Sequence, residues 1–342
     1  MKRYLIYPIL IFILFSLMFV SSCRDMPESR NESSSNPSDS RTSSFWANDV
    51  SEINSLTETD ENVFYISKNG IVKYDKLKNT DKILVEGQSV NSFRISNGLI
   101  YFCENNDTIY SVDMNGEDRV KVVELKQVED LLIEKSFTFF EVYEKNIYIK
   151  SSGTSMIRFN LSTQKTENFV DDVAEYAFLG NSFFYIDHAE KTFSIFQKDL
   201  NTGKVVLLRG DGKSKGQVSP QQAYKYEWYD NVIAVNDRLY YTMRGPAKLF
   251  RLEQAGKDTL IEGFTNIEDA NYLTITASGN NLYYILESGS LEGHLFKYDT
   301  LSGEKKDLIT LNNVNYSFGI KVINNCVFYY SANDNSLTYS PI

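Results

Sequence analysis

The sequence predicts an all-β protein, a seven-bladed β-propeller of four-stranded antiparallel blades closed by an N-terminal strand. Three observations carry this expectation. First, a turn-forming pair followed by an aromatic strand recurs: "ENVFYI" (61–66), "NGLIYF" (97–102), "NSFFYI" (181–186), "NDRLYY" (236–241), "NNLYYI" (280–285) and "NNCVFYY" (324–330). Second, Tyr65, Tyr101, Ile149, Tyr185, Tyr241, Tyr284 and Tyr329 fall in one column, with spacings of 36 to 56 residues that average 44. A period in that range belongs to solenoids, propellers and arrays. Third, the 342 residues include 23 Tyr and 22 Phe against 2 Trp, a bias toward strand formers.

Each copy opens with an alternating run, such as "VNSFRIS" (90–96), "FTFFEVY" (137–143) or "YSFGIKV" (316–322). A turn signal follows, for example Asn97-Gly98, Gly180-Asn181, Asn236-Asp237, Gly279-Asn280 or Asn324-Asn325. These residues tolerate the positive φ that tight hairpins require. After the aromatic strand comes a variable polar loop, then a third strand ending in an acid or amide: "VKYD", "YSVD", "IRFN", "FQKD", "FRLE" and "FKYD". A turn rich in Gly, Asn and Thr leads to a fourth run such as "KILVE" or "KVVLL". Stretches with helical period long enough for a helix-pair repeat are missing, so the four-stranded propeller blade is the unit that fits.

The last copy stops after its third strand, "SLTYS" (336–340), and the first copy is preceded by one unassigned apolar segment, "FWAND" (45–49). That segment is expected to supply the missing outer strand of blade seven, which would leave no free sheet edge. Cys103 and Cys326 sit in strand-like runs and are expected to be free, buried thiols.

Blade two, "NGLIYFCENNDTIYSVDMNGEDRVKVVEL" (97–125), resembles the YWTD-type blade of low-density lipoprotein receptors, and more closely a bacterial propeller family of unknown function that shares the pattern. The resemblance extends over residues 53–340 and rests on the repeat. "FCEN" and "YYTM" depart from the receptor tetrapeptide. It implies a six- or seven-bladed extracytoplasmic module, with no chemistry attached.

The N-terminal residues form no part of the propeller pattern. Lys2 and Arg3 precede an apolar run from Leu5 to Val20, and "VSSC" ends at Cys23. The charge, the apolar core and the small residues match a secretory signal. The cysteine resembles the bacterial lipobox, in which Cys23 becomes the lipid-bearing N-terminus; an uncleaved signal anchor is the alternative. Residues 1–22 are thus expected to be a lipoprotein signal peptide, 23–44 a flexible tether rich in Ser, and 45–342 the propeller. About 21 tether residues reach roughly 25 Å. Either reading places the propeller outside the cytoplasmic membrane, held to it at the N-terminus.

With 35 Lys plus Arg against 45 Asp plus Glu, the formal charge is −10, so nucleic acid is not an expected partner. His188 and His294 lie in different copies and outside any zinc-site pattern, and no phosphate-binding loop is present, so no metal or cofactor is expected. "DMNGEDRVKVVE" (113–124) offers oxygens at calcium-loop spacing, but Asp118 stands where such a loop needs Gly, and the stretch reads as a turn followed by a strand. "RGD" (209–211) matches an adhesion tripeptide inside an ordinary turn context.

The longest departure from the period is "LRGDGKSKGQVSPQQAYKYEWYDN" (208–231), which joins an outer strand to the next inner strand. Its Tyr224, Tyr226, Trp228 and Tyr229, beside Lys213 and Lys215, form a candidate ligand-binding group. The alternative is that these aromatics are local core. The segment 124–136 is expected to form a short helical turn. Three functions fit: a non-catalytic binding module for a glycan, a peptide or an envelope protein; a scaffold for an envelope complex; and a carboxylate-dependent glycosidase or lyase. The last would draw on acids such as Asp171, Asp172, Asp230, Glu268 and Asp269, and needs a carboxyl pair about 5–10 Å apart.

Overall fold

Seven antiparallel sheets follow one another along the chain. The structure is a computed structural model that describes residues 45–342 apart from 52, 88, 129–136, 152–154, 188–192, 213–227, 245–246, 254–256, 264–272, 288–291 and 316–318. Six sheets have four strands in sequence order, spanning 57–86, 90–124, 137–170, 176–209, 228–263 and 273–312. The seventh, 320–341, has three among the described residues. The first strands of successive sheets pack against each other, which arranges the sheets as blades of a propeller around a central channel.

The repeated sequence pattern maps directly onto hairpins. Asn97-Gly98, Asn236-Asp237 and Asn324-Asn325 all have both residues at positive φ, between 48° and 75°. Two such residues in succession match the right-handed twist of the strands they join. The acid or amide closing the third strand has a local task too. Asp75, Asp113, Asn160, Asp199 and Asp299 each accept backbone N–H bonds from residues two to four positions ahead, at 2.7–3.0 Å. The side chain thereby builds the turn into the fourth strand. At Asp113 this is the turn that the sequence reading chose over a calcium loop.

The Tyr column is core. Tyr65, Tyr101, Tyr241, Tyr284 and Tyr329 are all buried, and hydrophobic clusters fill the spaces between neighbouring blades. Cys103 and Cys326 are buried in two different clusters, and neither forms a disulfide among the described residues.

The ring closes through its N-terminal segment, but not as the expected strand. Phe45–Asp49 is a 3₁₀ turn. Trp46, fully buried, stands between Tyr65 and Tyr74 of blade one and Phe328 of blade seven, with ring centroids 5.5–5.9 Å apart. Trp46 and Ala47 are both buried. Closure is therefore a wedge of side chains, reinforced by a bond from Tyr339 Oη to Asn48 Oδ1 at 3.2 Å.

Blade one is also atypical at the channel. Its inner strand is only Thr57–Glu58, and a second 3₁₀ turn, Ile53–Ser55, packs against the inner strands of blades two and seven.

Candidate functional site: the mouth of the central channel

The inner strands enclose a cavity of about 1260 Å³ lined by residues from every blade. Much of its lining lies in the first half of those strands, before the hairpins: Ser92, Phe139, Glu175, Asn231, Thr274 and Gly319. Three charged residues lie one step deeper at an equivalent register. Arg94, Glu141 and Lys321 each stand two residues before the last paired position of the inner strand, at Ser96, Tyr143 and Ile323 respectively.

Arg94 and Glu141 bridge blades two and three, with Nε donating to Oε2 at 2.8 Å. The same guanidinium donates to the carbonyls of Phe93 at 2.7 Å and Asn54 at 3.4 Å. Burial works against the Arg94 charge, and the Glu141 carboxylate more than offsets it. Lys150, on the second strand of blade three, donates to the Ala174 carbonyl at 2.8 Å and lies 5.5 Å from the centre of the Phe139 ring. Phe139 in turn stacks on Tyr176, 5.9 Å between centroids and 7° from parallel.

Two lining charges have no such commitment. Lys321 and Glu175 make no side-chain hydrogen bond and no ion pair among the described residues. Burial lowers the Lys321 pKa, and Arg94 lowers it further against the pull of Glu141 and Glu58. Glu175 touches channel water yet is crowded by protein. Burial, with the Asp230 charge adding to it and Lys150 opposing, pushes its carboxyl up to about 6.

A second cavity, about 690 Å³, lies between blades four and five. Its cations are already bound: Arg209 forms a bidentate pair with Asp258, Arg251 pairs with Glu253 at 2.7 Å, and Arg238 donates to the Thr300 carbonyl at 2.9 Å. The Arg209 of the adhesion-like tripeptide is thus held to a neighbouring blade.

The residues expected from sequence are distributed unevenly. Tyr229 is buried between blades four and five, edge-on to Tyr241 at 5.4 Å, so it belongs to the core there. The backbone of Trp228 opens the inner strand of blade five, pairing with Arg244, and its side chain lies outside the described residues. Lys213, Lys215, Tyr224 and Tyr226 lie outside them as well. Of the candidate acids, Asp230 lines the channel, Asp171 is exposed, and both carboxylate oxygens of Asp172 are buried with no hydrogen-bond partner among the described residues. Glu268 and Asp269 lie outside the described residues, as does His188. His294 is exposed, 3.8 Å from Asp307. The expected helical turn near 124–136 is present as the 3₁₀ turn Leu125–Gln127, with 129–136 outside the described residues.

Sequence reasoning missed Arg94, Glu141, Glu175 and Lys321. The available signal was a charge set within the alternating first run of a copy, at a fixed distance before its hairpin, where a residue faces the channel.

No family model matches the chain, and no curated protein sequence matches it. Solved structures do. PorZ of Porphyromonas gingivalis, described as an essential bacterial surface component of the type-IX secretion system, aligns with a TM-score of 0.55 at 12% identity, over 86% of this chain and 38% of that one. This chain therefore spans well under half of PorZ. Kluyveromyces lactis Hsv2 aligns at 0.50 and 11% identity, over 82% of this chain and 89% of that chain. The extracellular domain of the putative hybrid two-component system BT4673 from B. thetaiotaomicron gives 0.48 at 14% identity, over 73% and 31%. At these identities the likeness is one of fold. No helix among the described residues is long and apolar enough to cross a membrane.

Proposed function

We propose that this protein is an extracytoplasmic binding module, lipid-anchored through Cys23, that holds a glycan, a peptide or a segment of an envelope protein at the mouth of its central channel. The observation that carries the reading is the channel itself. It is a 1260 Å³ concavity whose lining combines aromatic rings with charges that the fold leaves uncommitted. Concave sites with a few convergent polar groups are where ligands bind. Lys321 and Glu175 bear a desolvation cost without forming a bond that would offset it, an arrangement that costs stability and is expected where a ligand completes the pairing. The signal and lipobox pattern ending at Cys23 supports the location.

The test is a screen of the full-length, detergent-solubilised protein against glycan arrays, envelope polysaccharides, peptide libraries and envelope extract. Two folded variants run beside it: Lys321→Met with Glu175→Gln, and Tyr224→Ala with Tyr226→Ala and Trp228→Ala. The reading requires that binding fall in the channel variant. Loss in the loop variant alone would move the site to residues 213–228.

A hydrolase or lyase reading has one observation in its favour. Glu175, its carboxyl pushed up by burial, lines the same cavity as Asp230, and a pair of carboxyl groups in one cavity is what glycoside cleavage uses. Turnover of any glycan hit, abolished by Glu175→Gln while binding persists, would establish it.

A further inference from the structure

We infer that the channel mouth takes a short peptide with both ends free, its carboxylate against Lys321 and its ammonium against Glu175; this rests on the binding reading above. Three features of the channel carry the inference. The first is pairing. Of the charges lining the cavity, Arg94 and Glu141 are bonded to each other, and Lys150 is bonded to the Ala174 carbonyl. Lys321 and Glu175 have no side-chain hydrogen bond or ion pair among the described residues.

The second is position. The blades follow chain order around the ring, and Lys321 belongs to blade seven while Glu175 leads into blade four. The two charges therefore enter one cavity from different blades. They are opposite in sign and form no ion pair with each other. Different fixed charges surround the two: Arg94, Glu141 and Glu58 act on Lys321, whereas Lys150 and Asp230 act on Glu175. A ligand that spans the opening and carries an anionic group at one end and a cationic group at the other satisfies both sides. A single amino acid would leave much of a 1260 Å³ cavity unfilled, whereas a short peptide separates its charged ends by several residues.

The third is the state of the aromatic rings. A sugar bound by stacking needs an open ring face. Phe139 is already engaged by Tyr176, stacked 5.9 Å away, and by the Lys150 ammonium 5.5 Å from its centroid, which disfavours a stacked sugar there.

The experiment equilibrates the full-length protein with a mixed-sequence tetrapeptide library and quantifies the retained peptides by mass spectrometry. N-acetylated and C-amidated versions of the library run in parallel. Wild type is expected to retain the free-ended library, with at least a tenfold fall when either end is blocked, the worth of one charge-assisted bond of about 1.4 kcal/mol. Lys321→Met is expected to retain free and amidated libraries equally, and Glu175→Gln to retain free and acetylated libraries equally. Lys321→Arg, which keeps the charge, is expected to behave as wild type, and melting curves exclude misfolding as the cause. Retention indifferent to blocking in wild type overturns the inference, as does failure to retain any free-ended peptide. A glycan or protein ligand lost in the same variants, with no peptide retained, would overturn the peptide assignment and leave the channel as the binding site.

Discussion

Glu58 of the first blade accepts a hydrogen bond from the backbone N–H of Asn324, in the hairpin turn of the last blade, at 3.1 Å. The same carboxylate takes the Ser278 hydroxyl of blade six at 2.6 Å and the Lys76 ammonium of its own blade at 2.9 Å. One partly buried carboxylate thus links three blades across the seam where the first and last blades meet. A propeller without a shared strand at this seam depends on such links and on the Trp46 wedge.

Replacing Glu58 with Ala leaves the Asn324 N–H and the Lys76 ammonium without their acceptor. The expected loss is about 2 kcal/mol, the usual cost of removing one partner from a charge-assisted site. Urea unfolding of the variant against wild type checks it. Hydrogen exchange at the Asn324–Asn325 hairpin should accelerate more than at the Asn236–Asp237 hairpin, which has no contact with Glu58.

Trp46→Ala should cost about 3–5 kcal/mol, because the indole is fully buried against three rings and its removal leaves a cavity at the seam. Trp46→Phe should cost less. Equal stability of the alanine variant and wild type in thermal unfolding would contradict the wedge.

The seam also marks where the sequence stopped being readable. Blade number, hairpin positions and the buried Tyr column were legible because each is repeated, so Asn97-Gly98 and Asn324-Asn325 support the same inference independently. "FWAND" occurs once. An apolar pair at the right place in the chain looks like the missing strand, and nothing within those five residues shows that Phe45–Asp49 turns to set Trp46 among rings of two blades. The channel charges failed for a different reason. Arg94, Glu141 and Lys321 sit in alternating strands, where a charge ordinarily marks the solvent face, and only the register before the hairpin separates a channel position from a surface one. Nor could sequence show that Glu175 and Lys321 line one cavity, since that follows from ring closure over about 150 residues.

The Glu175 carboxyl has a folded pKa raised to about 6, above its ordinary value, so its ionised form is the one the fold disfavours. Above pH 6 the charge lowers stability; as pH falls through 6 toward the unfolded value, protonation in the folded state relieves that cost. Glu175→Gln should therefore stabilise the protein at pH 7.5 and have almost no effect at pH 4. Channel water screens the effect, so the gain should be about 1 kcal/mol or less. Melting temperatures of the two proteins at the two pH values test the sign.

The turn-building carboxylates behave in the opposite way. N–H donors hold Asp113, Asp199 and Asp299 below their ordinary pKa, and the Lys78 ammonium with its backbone N–H does so for Asp75. Their contribution is present above the unfolded pKa and is lost as pH falls through the folded values. Asp199→Ala should accordingly destabilise the protein near neutral pH and progressively less as the pH is lowered below 4, measured by denaturant midpoint.

Thiol titration gives a separate check on the core and the anchor. Burial pushes the Cys103 thiol up to about 12, and Cys326 is buried too, so neither should react with a thiol reagent in the native protein. In denaturant the full chain isolated from envelopes should show two reactive thiols. A count of three would mean that Cys23 is unmodified and would contradict the lipobox reading.

The account's central claim is that the ligand sits at the channel mouth. Hydrogen–deuterium exchange of the full-length protein, with and without the first ligand from the binding screen, tests it most directly. The account predicts slowed exchange at the inner strands around Ser92, Glu141, Asp230 and Lys321, with the outer strands unchanged. Protection confined to the exposed outer-strand residues Val205, Val206, Leu207 and Leu260 would contradict it and favour a scaffold whose partners bind the rim.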